Sequence, residues 1–442
     1  MKSLDLLRQA ASDPRLALML PLGFSSGLPF LLIFSTQSAW LSGVGVPPRE
    51  IGLMSWCLLA FSFKFLWAPI IDRYDPPALA AWLGRRRAWM LIAQVGVAAG
   101  LVGLAFADPA HSLLWSVVCG SLTGFAAATQ DITIDAWRID AAPAERQGLM
   151  VGVYSAGYRV ALISAGAGAL YLSDFAGWRT TYLLMAILTV VGMAGCLAAP
   201  RLDRVASGPA PDLSKSFSEP LADLVTRYGA VLAPILLLVA LYRMPDFLSG
   251  VMAIPLYKHL GFTNSDIATA TKLYGVWVSI AGTLAGGWCV ARVGLMPTLL
   301  AGGAAAAASH LTFVWLNGYP KHFEALIVAV SCDNFATGIA GAALIAFMSS
   351  LVAPKYAATQ YALFSSLYAL PGKIFGGVSG FLVEDWGYPR FFTVTSMIGI
   401  PVALLCLLVW RLQAAKAARG RRDSRWRRVA AHDNLPPQEE SP

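Results

Sequence analysis

Arg159, Arg243, Asp246, Asp333 and Lys373 each stand near the middle of a long apolar run, and Lys64, Asp131, Asp135 and Lys272 stand nearer the end of one. Placed at such depth in a bilayer, a charge costs roughly 2.5–3.5 kcal/mol on insertion scales, so it normally faces a cavity or a partner. Asp131 and Asp135 lie at i and i+4 in Ala128-Thr-Gln-Asp-Ile-Thr-Ile-Asp-Ala-Trp-Arg138, on one face of a helix. Two carboxylates sharing a low-dielectric face oppose each other's ionisation, which is the chemistry of a proton acceptor. An alternative reading pairs Asp135 with Arg138 as a structural lock. Arg243 and Asp246, at i and i+3, flank Pro245, which frees backbone groups as in the broken helices of transporter sites; an internal ion pair across a kink fits the same residues. Arg159 and Lys373 suit an anion, the first by a bidentate grip on carboxylate and the second as a point charge. Tyr154, Tyr158 and Trp137 offer stacking faces or simple packing.

The elements that must carry these residues are membrane-spanning helices. The chain of 442 residues is 57% hydrophobic and 13% charged, against roughly 25% charged in soluble proteins. Its apolar residues recur in runs of about 20, enough to cross a hydrocarbon layer of roughly 30 Å. The spans are predicted at 16–41, 50–71, 88–107, 112–136, 147–172 and 178–199, then at 230–257, 265–291, 296–316, 322–350, 356–383 and 389–412. The first run is too long for a cleavable signal peptide and is followed directly by further spans. Arg73, Arg85, Arg86, Arg87, Arg138, Arg146, Arg201, Arg204, Lys215, Arg227 and a basic tail from Lys416 to Arg428 share one side if the N-terminus is cytoplasmic, which places both termini inside. The net charge of +8 is then mostly a topology signal. Beside a last span, the tail attracts anionic lipid headgroups and does not indicate nucleic acid.

An internal repeat divides the chain. The stretch 200–229 is rich in Pro, Ser, Asp and basic residues and separates six spans from six. Pro143 precedes Asp174 of Ser-Asp-Phe-Ala-Gly-Trp-Arg at the spacing by which Pro354 precedes Asp385 of Glu-Asp-Trp-Gly-Tyr-Pro-Arg. Span 2 opens after Gly45 and span 8 after Gly261, where Thr263 and Asp266 form an approximate capping box. Two six-span repeats about a cytoplasmic linker are the layout of the major facilitator superfamily, whose site lies between halves that rock. The domains are therefore a bundle at 1–199, a linker at 200–229, a bundle at 230–413 and an unstructured tail at 414–442. Asp72-Arg73 followed by Gly84-Arg85-Arg86-Arg87 resembles that superfamily's loop signature, interrupted by Tyr74 to Leu83. It reads as a charge latch, with Lys64 and Arg138 as further gating residues, or as ordinary positive-inside residues. Small-residue strings such as Gly152, Gly157, Ala161, Ala165 and Gly168 permit close helix approach.

Six stretches, in order along nearly the whole chain, carry a closer resemblance: Gly23-Phe-Ser-Ser-Gly-Leu-Pro29, Lys64-Phe-Leu-Trp-Ala-Pro-Ile-Ile-Asp-Arg-Tyr74, Thr129-Gln-Asp-Ile-Thr-Ile-Asp-Ala-Trp137, Gly157-Tyr-Arg159, Leu241-Tyr-Arg-Met-Pro-Asp246 and Ala358-Thr-Gln-Tyr-Ala-Leu363. In these the sequence resembles the anhydromuropeptide permease (AmpG) family. The resemblance implies an all-α integral membrane protein of about twelve helices that takes up N-acetylglucosaminyl-anhydro-N-acetylmuramyl peptides with protons, for cell-wall recycling. On that basis Asp131, Asp135, Asp246 and Asp333 are the candidates for the proton. Arg159, Arg243, Lys272 and Lys373 are candidates for the substrate's carboxylates, Gln130 and Asn334 for its sugar hydroxyls, and Tyr158 for its rings. Two departures stand out. Many members carry two further C-terminal spans, and Pro371-Gly372-Lys373 departs from the family's pattern in span 11. Related branches carry siderophores or acetyl-CoA. The partners expected are an anionic or sugar-peptide solute, protons and membrane lipids, with the chain acting as a monomer.

Other classes fit less well. The six cysteines (Cys57, Cys119, Cys196, Cys289, Cys332, Cys406) lie within spans and form no C-x-x-C pair, so they indicate neither a metal site nor a disulfide frame. No cofactor or catalytic residue is indicated. A membrane-embedded enzyme on lipid-linked precursors would place a dense carboxylate or histidine cluster at an interfacial loop. His111, His259, His310, His322 and His432 lie neither beside one another nor near paired acids in the sequence. A receptor would need a sensing domain, and polar segments of about 30 residues fall far short of a typical 100.

Overall fold

The computed structural model describes residues 14–432 except 77–78, 142–143, 202–212 and 354–356, and leaves out some further side chains. The proposed Asp72-Arg73 latch lies outside the described residues at the level of side chains. So do the repeat anchors Pro143 and Pro354, most of the linker and the basic tail beyond Lys416.

The described residues are helical with short connections. In order they form α1 (Pro14–Gly43), α2 (48–73), α3 (Arg85–Ala105), α4 (Leu113–Ala141), α5 (144–176) and α6 (178–198). After the linker come the amphipathic α7 (Leu213–Tyr228), α8 (232–259), α9 (Asn264–Arg292), α10 (Leu295–Leu316), α11 (Phe323–Leu351), α12 (357–386) and α13 (388–432). Nine stretches among the described residues are long and apolar enough to cross a membrane. One of them, Met150–Ala198, has 49 residues. At 1.5 Å per residue it would reach more than twice the thickness of a hydrocarbon core.

It does so by turning back at Gly177 (φ 75°, ψ 167°), a conformation costly for any residue with a Cβ. The neighbours prove the reversal. Gly23 meets Tyr154, Gly27 meets Tyr158 and Thr36 donates to the Ala165 carbonyl, so α5 runs parallel to α1. The Tyr182 hydroxyl donates to the Leu32 carbonyl, and Gly192 and Gly195 approach Ser25 and Pro21, so α6 runs antiparallel to it. Gly387 (φ 74°, ψ 162°) reverses the second half in the same way between α12 and α13.

Positive-φ glycines recur in matched pairs, Gly45 with Gly261, Gly84 with Gly294 and Gly177 with Gly387. The repeat is therefore written in the turns. This register also corrects the sequence alignment by one residue: the glycine bends pair Asp174 with Glu384, not with Asp385. The capping box at α9 is formed as expected, Thr263 Oγ1 accepting from the Asp266 N–H and Asp266 accepting from the Thr263 N–H, both at 3.0 Å.

Three apolar clusters organise the packing. Leu28, Leu32, Leu101 and Tyr182 fill the first half, and Ile235, Leu299, Phe347 and Phe364 the second. A third cluster joins Ala39 and Leu170 of the first half to Met252, Leu256, Phe391 and Phe392 of the second. It lies near the face where α1 ends, here called the far face. The opposite face, where the described chain begins, is called the near face. Unlike the continuous span expected at 50–71, α2 is broken: helical pieces Pro48–Met54, Leu59–Phe63 and Ala68–Arg73 alternate with 3-10 turns at Ser55–Leu58 and Lys64–Leu66. Pro69 removes one backbone donor from this ladder. The last helix continues past the boundary drawn at 413, to His432.

Candidate functional site

The described hydrogen bonds that join the two halves run along two flanks from the far face down to mid-depth. On one flank Asp174 accepts from the backbone N–H and the hydroxyl of Ser265, both at 2.7 Å, while Asn264 donates to Ser173 at 3.0 Å and Tyr171 meets Thr269 at 2.5 Å. On the other, Glu384 accepts from the Arg49 N–H at 3.2 Å and the Trp56 indole donates to the Ile374 carbonyl at 2.9 Å. The glycine register makes these flanks equivalents: each time an acid at the end of one half's helix receives the first turn of a helix from the other half. Such a position suits an anion because the first amides of a helix have no partner within it.

Deeper, two lysines reach across. Lys272, in a π-helical turn at Ala268–Tyr274, donates to Ser35 at 3.1 Å and lies over Gly166. Lys373 donates to Ser62 at 3.0 Å. Below them, toward the near face, charged groups of both halves keep partial exposure. Lys64 Nζ stands 3.9 Å from Asp131, whose side chain is 17% exposed. The inner oxygen of that carboxylate, Oδ1, is buried and has no hydrogen-bond partner among the described residues. Asp135 pairs with Arg138 at 3.3 Å, so the lock reading describes this pair's geometry. Arg159 is exposed on α5 beside Tyr158, which faces Tyr154 with ring centroids 6.3 Å apart. An exposed arginine at that depth must look into water rather than lipid.

The second half holds a tighter cluster. Arg243 Nε lies 2.5 Å from Asp246 at the break within α8, and its Nη1 donates to the Thr337 carbonyl at 3.4 Å. The second Asp246 oxygen lies 3.6 Å from Nε2 of His310 on α10, which is wholly buried. Next to it Ser309 donates to Asp333 at 3.0 Å. His310 is the residue that sequence reasoning missed: it lies near no paired acids along the chain, but in space it faces Asp246 and adjoins the Ser309–Asp333 bond. An imidazole within the run Ala304-Ala-Ala-Ala-Ala-Ser-His310 was the available signal.

Two expected residues are placed elsewhere. Gln130 is 1% exposed and accepts from Ser25 at 3.0 Å, within a chain that Gln94 completes from α3. It therefore looks into the first bundle, away from the surface that carries Asp131. Asn334 packs against Gly275 of α9. No group of three or more His, Cys, Asp or Glu side chains suited to a metal occurs among the described residues. The described cysteines are free.

Two broken halves facing each other across charged groups, joined among the described residues from the far face to mid-depth, fit the anatomy of an alternating-access carrier. A profile described as Major Facilitator Superfamily matches residues 19–376. The chain belongs to that superfamily. Within it the chain belongs with the anhydromuropeptide permeases. It is 34% identical over 403 residues to the anhydromuropeptide permease of Escherichia coli strain K12, a match spanning 90% of this chain and 80% of that one. It is 33% identical over 401 residues to a transporter designated AmpG 4 of Rickettsia conorii, spanning 89% and 96%. Among solved structures, a bacterial homolog of the human lysosomal transporter Spinster, inward-facing and unoccupied, superposes with a TM-score of 0.66 at 16% identity, over 91% of this chain and 98% of that one. That likeness concerns the fold alone. The protein is a multi-pass membrane transporter.

Proposed function

We propose that the chain imports N-acetylglucosaminyl-anhydro-N-acetylmuramyl peptides from periplasm to cytoplasm across the bacterial inner membrane, coupled to protons. The observation that carries this reading is the 34% identity over 403 residues to a protein named for that substrate. The residues fit the chemistry. Such a solute is bulky, bears carboxylates on its peptide and hydroxyls on its sugars, and needs cations on both sides of a wide cavity. Arg159 of the first half and Lys272, Arg243 and Lys373 of the second supply them, with Tyr158 beside Arg159. Carboxylates set within the spans, Asp131, Asp246 or Asp333, are the candidates for the residue that takes the proton.

In this reading twelve helices cross the bilayer, α2 and α12 included, as two six-helix bundles at 1–199 and 230–413. The near face is cytoplasmic because Arg85, Arg86, Arg87, Arg138 and Arg201 gather there. The conformation described is then the one open to the cytoplasm. The basic tail lies against anionic lipid, and the protein works as a monomer.

Uptake of a labelled anhydromuropeptide into proteoliposomes, with and without an inward proton gradient, tests this. Accumulation that depends on the gradient supports it. A folded preparation that takes up none refutes the substrate, and the same assay with a siderophore or another bulky anion then decides among the related transport classes.

A further inference from the structure

We propose that His310 and Asp246 together hold the transported proton, with Arg243 and Asp333 fixing the charge that makes a proton necessary there. In the first half the two acids of the Thr129–Trp137 stretch each have a cation, Asp131 with Lys64 and Asp135 with Arg138. In the second half Asp246 and Asp333 face one guanidinium, that of Arg243, which lies against one oxygen of Asp246. An uncompensated charge away from water carries a penalty of several kcal/mol. One proton brings the set to neutrality.

Geometry says where it goes. The His310 ring is wholly buried, neither of its nitrogens has a hydrogen-bond partner, and the Asp246 oxygen facing it at 3.6 Å has none either. Orphaned buried polar atoms are costly, and here three stand together. A closure of under 1 Å turns the gap into a charge-assisted bond of roughly 2.7–2.9 Å. Asp246 keeps 11% exposure while His310 keeps none. The proton therefore arrives on the Asp246 carboxylate and passes to Nε2, leaving an imidazolium against a regenerated carboxylate, and leaves by the reverse step.

Around the ring, α8 and its lead-in contribute Arg243, Asp246, Tyr242 and Tyr257, α11 contributes Asp333, and α13 contributes Cys406 near Tyr242. Tyr242 is committed as a donor to the Leu299 carbonyl at 2.7 Å. Packing does not require this cluster. His310 follows Gly294 at the distance by which Gly100 follows Gly84, and Asp333 corresponds in the same way to Thr123. In the first half those two positions pack directly on each other, a glycine against a threonine.

The inference rests on the proton-coupled reading above, and two measurements separate their failures. One proton per substrate permits about tenfold accumulation per unit of pH gradient in proteoliposomes. His310→Asn should bring that to onefold while substrate counterflow continues, with His310→Gln serving if the Asn variant loses counterflow as well. Accumulation by the variant equal to that of the wild type overturns the assignment. A wild type that carries no muropeptide refutes the substrate reading, and the proton site is then decided without substrate. For this, ¹⁵N-histidine spectra of the full chain in nanodiscs are recorded, with His310 assigned by its loss in His310→Asn. The ring should be seen to gain and lose a proton as the pH is changed, and Asp246→Asn should displace that change. A ring that stays neutral throughout overturns the proposal.

Discussion

Removing the Asp174 carboxylate should open the far face. Asp174 receives two hydrogen bonds of 2.7 Å from Ser265, one from the first turn of α9 and one from its hydroxyl. Bonds to a charged acceptor are worth roughly 1.5–3 kcal/mol when buried, and a carboxylate at a helix N-terminus adds about 0.3–1 kcal/mol. Asp174 is exposed, so water replaces part of this, and about 1–2 kcal/mol remains for the contact as a whole. That corresponds to roughly a 5–30-fold change in the ratio of far-face-closed to far-face-open molecules. Asp174→Ala should shift the ratio by this amount and Asp174→Asn, which still accepts but without charge, by less. The Thr263–Asp266 capping box stays in place in both variants, so the first turn of α9 does not unravel and the effect belongs to the contact between halves. The assay is the distance distribution between spin labels at His111 and His322, exposed positions on the far face in opposite halves. A distribution unchanged in Asp174→Ala, with the protein folded, would refute the reasoning.

Lys373→Met keeps the length of the side chain and removes its charge; if this lysine grips a substrate carboxylate, KM for the muropeptide should rise about tenfold, one charge-assisted contact of ~1.4 kcal/mol, with little change in maximal counterflow. Asp131→Asn should still accumulate substrate in response to a pH gradient, because Lys64 already balances that acid; lost accumulation with counterflow spared would move the proton to the first half. Gly157→Ala drives a methyl into the Leu20 carbonyl of α1, whereas Gly152→Ala meets open space. Thermal unfolding of the purified protein should fall for the first, by about 1–3 kcal/mol of overpacking, and stay unchanged for the second.

What could be read from the sequence was local. Arg243 with Asp246, Asp135 with Arg138 and Thr263 with Asp266 are neighbours within one turn, and spacing alone brings them together. Contacts between helices were not legible: Lys272 to Ser35, Lys373 to Ser62 and His310 to Asp246 depend on how bundles meet, which apolar periodicity does not encode. Gln130 shows the limit within a single helix. Consecutive residues point about 100° apart, so its place beside Asp131 in the chain sets it on another face, where Ser25 awaits it. The 3-10 breaks of α2 and the π turns of α5 and α9 likewise leave little trace beyond Pro69 and small residues.

The two flanks of the far-face seal differ in mechanical character. Tyr171, Ser173 and Asp174 project from one unbroken stretch of α5 and meet one short stretch of α9, so they part as a block. Arg49 sits on the first helical piece of α2, Trp56 in the 3-10 turn that follows it and Ser62 on the next helical piece. A segmented strut can peel, releasing one contact before the next is strained, and its barrier divides into smaller steps. Opening then starts as an unzipping along α2 and ends as a snap along α5. The protein gains a latch that yields gradually on one side while the other keeps the passage from standing ajar.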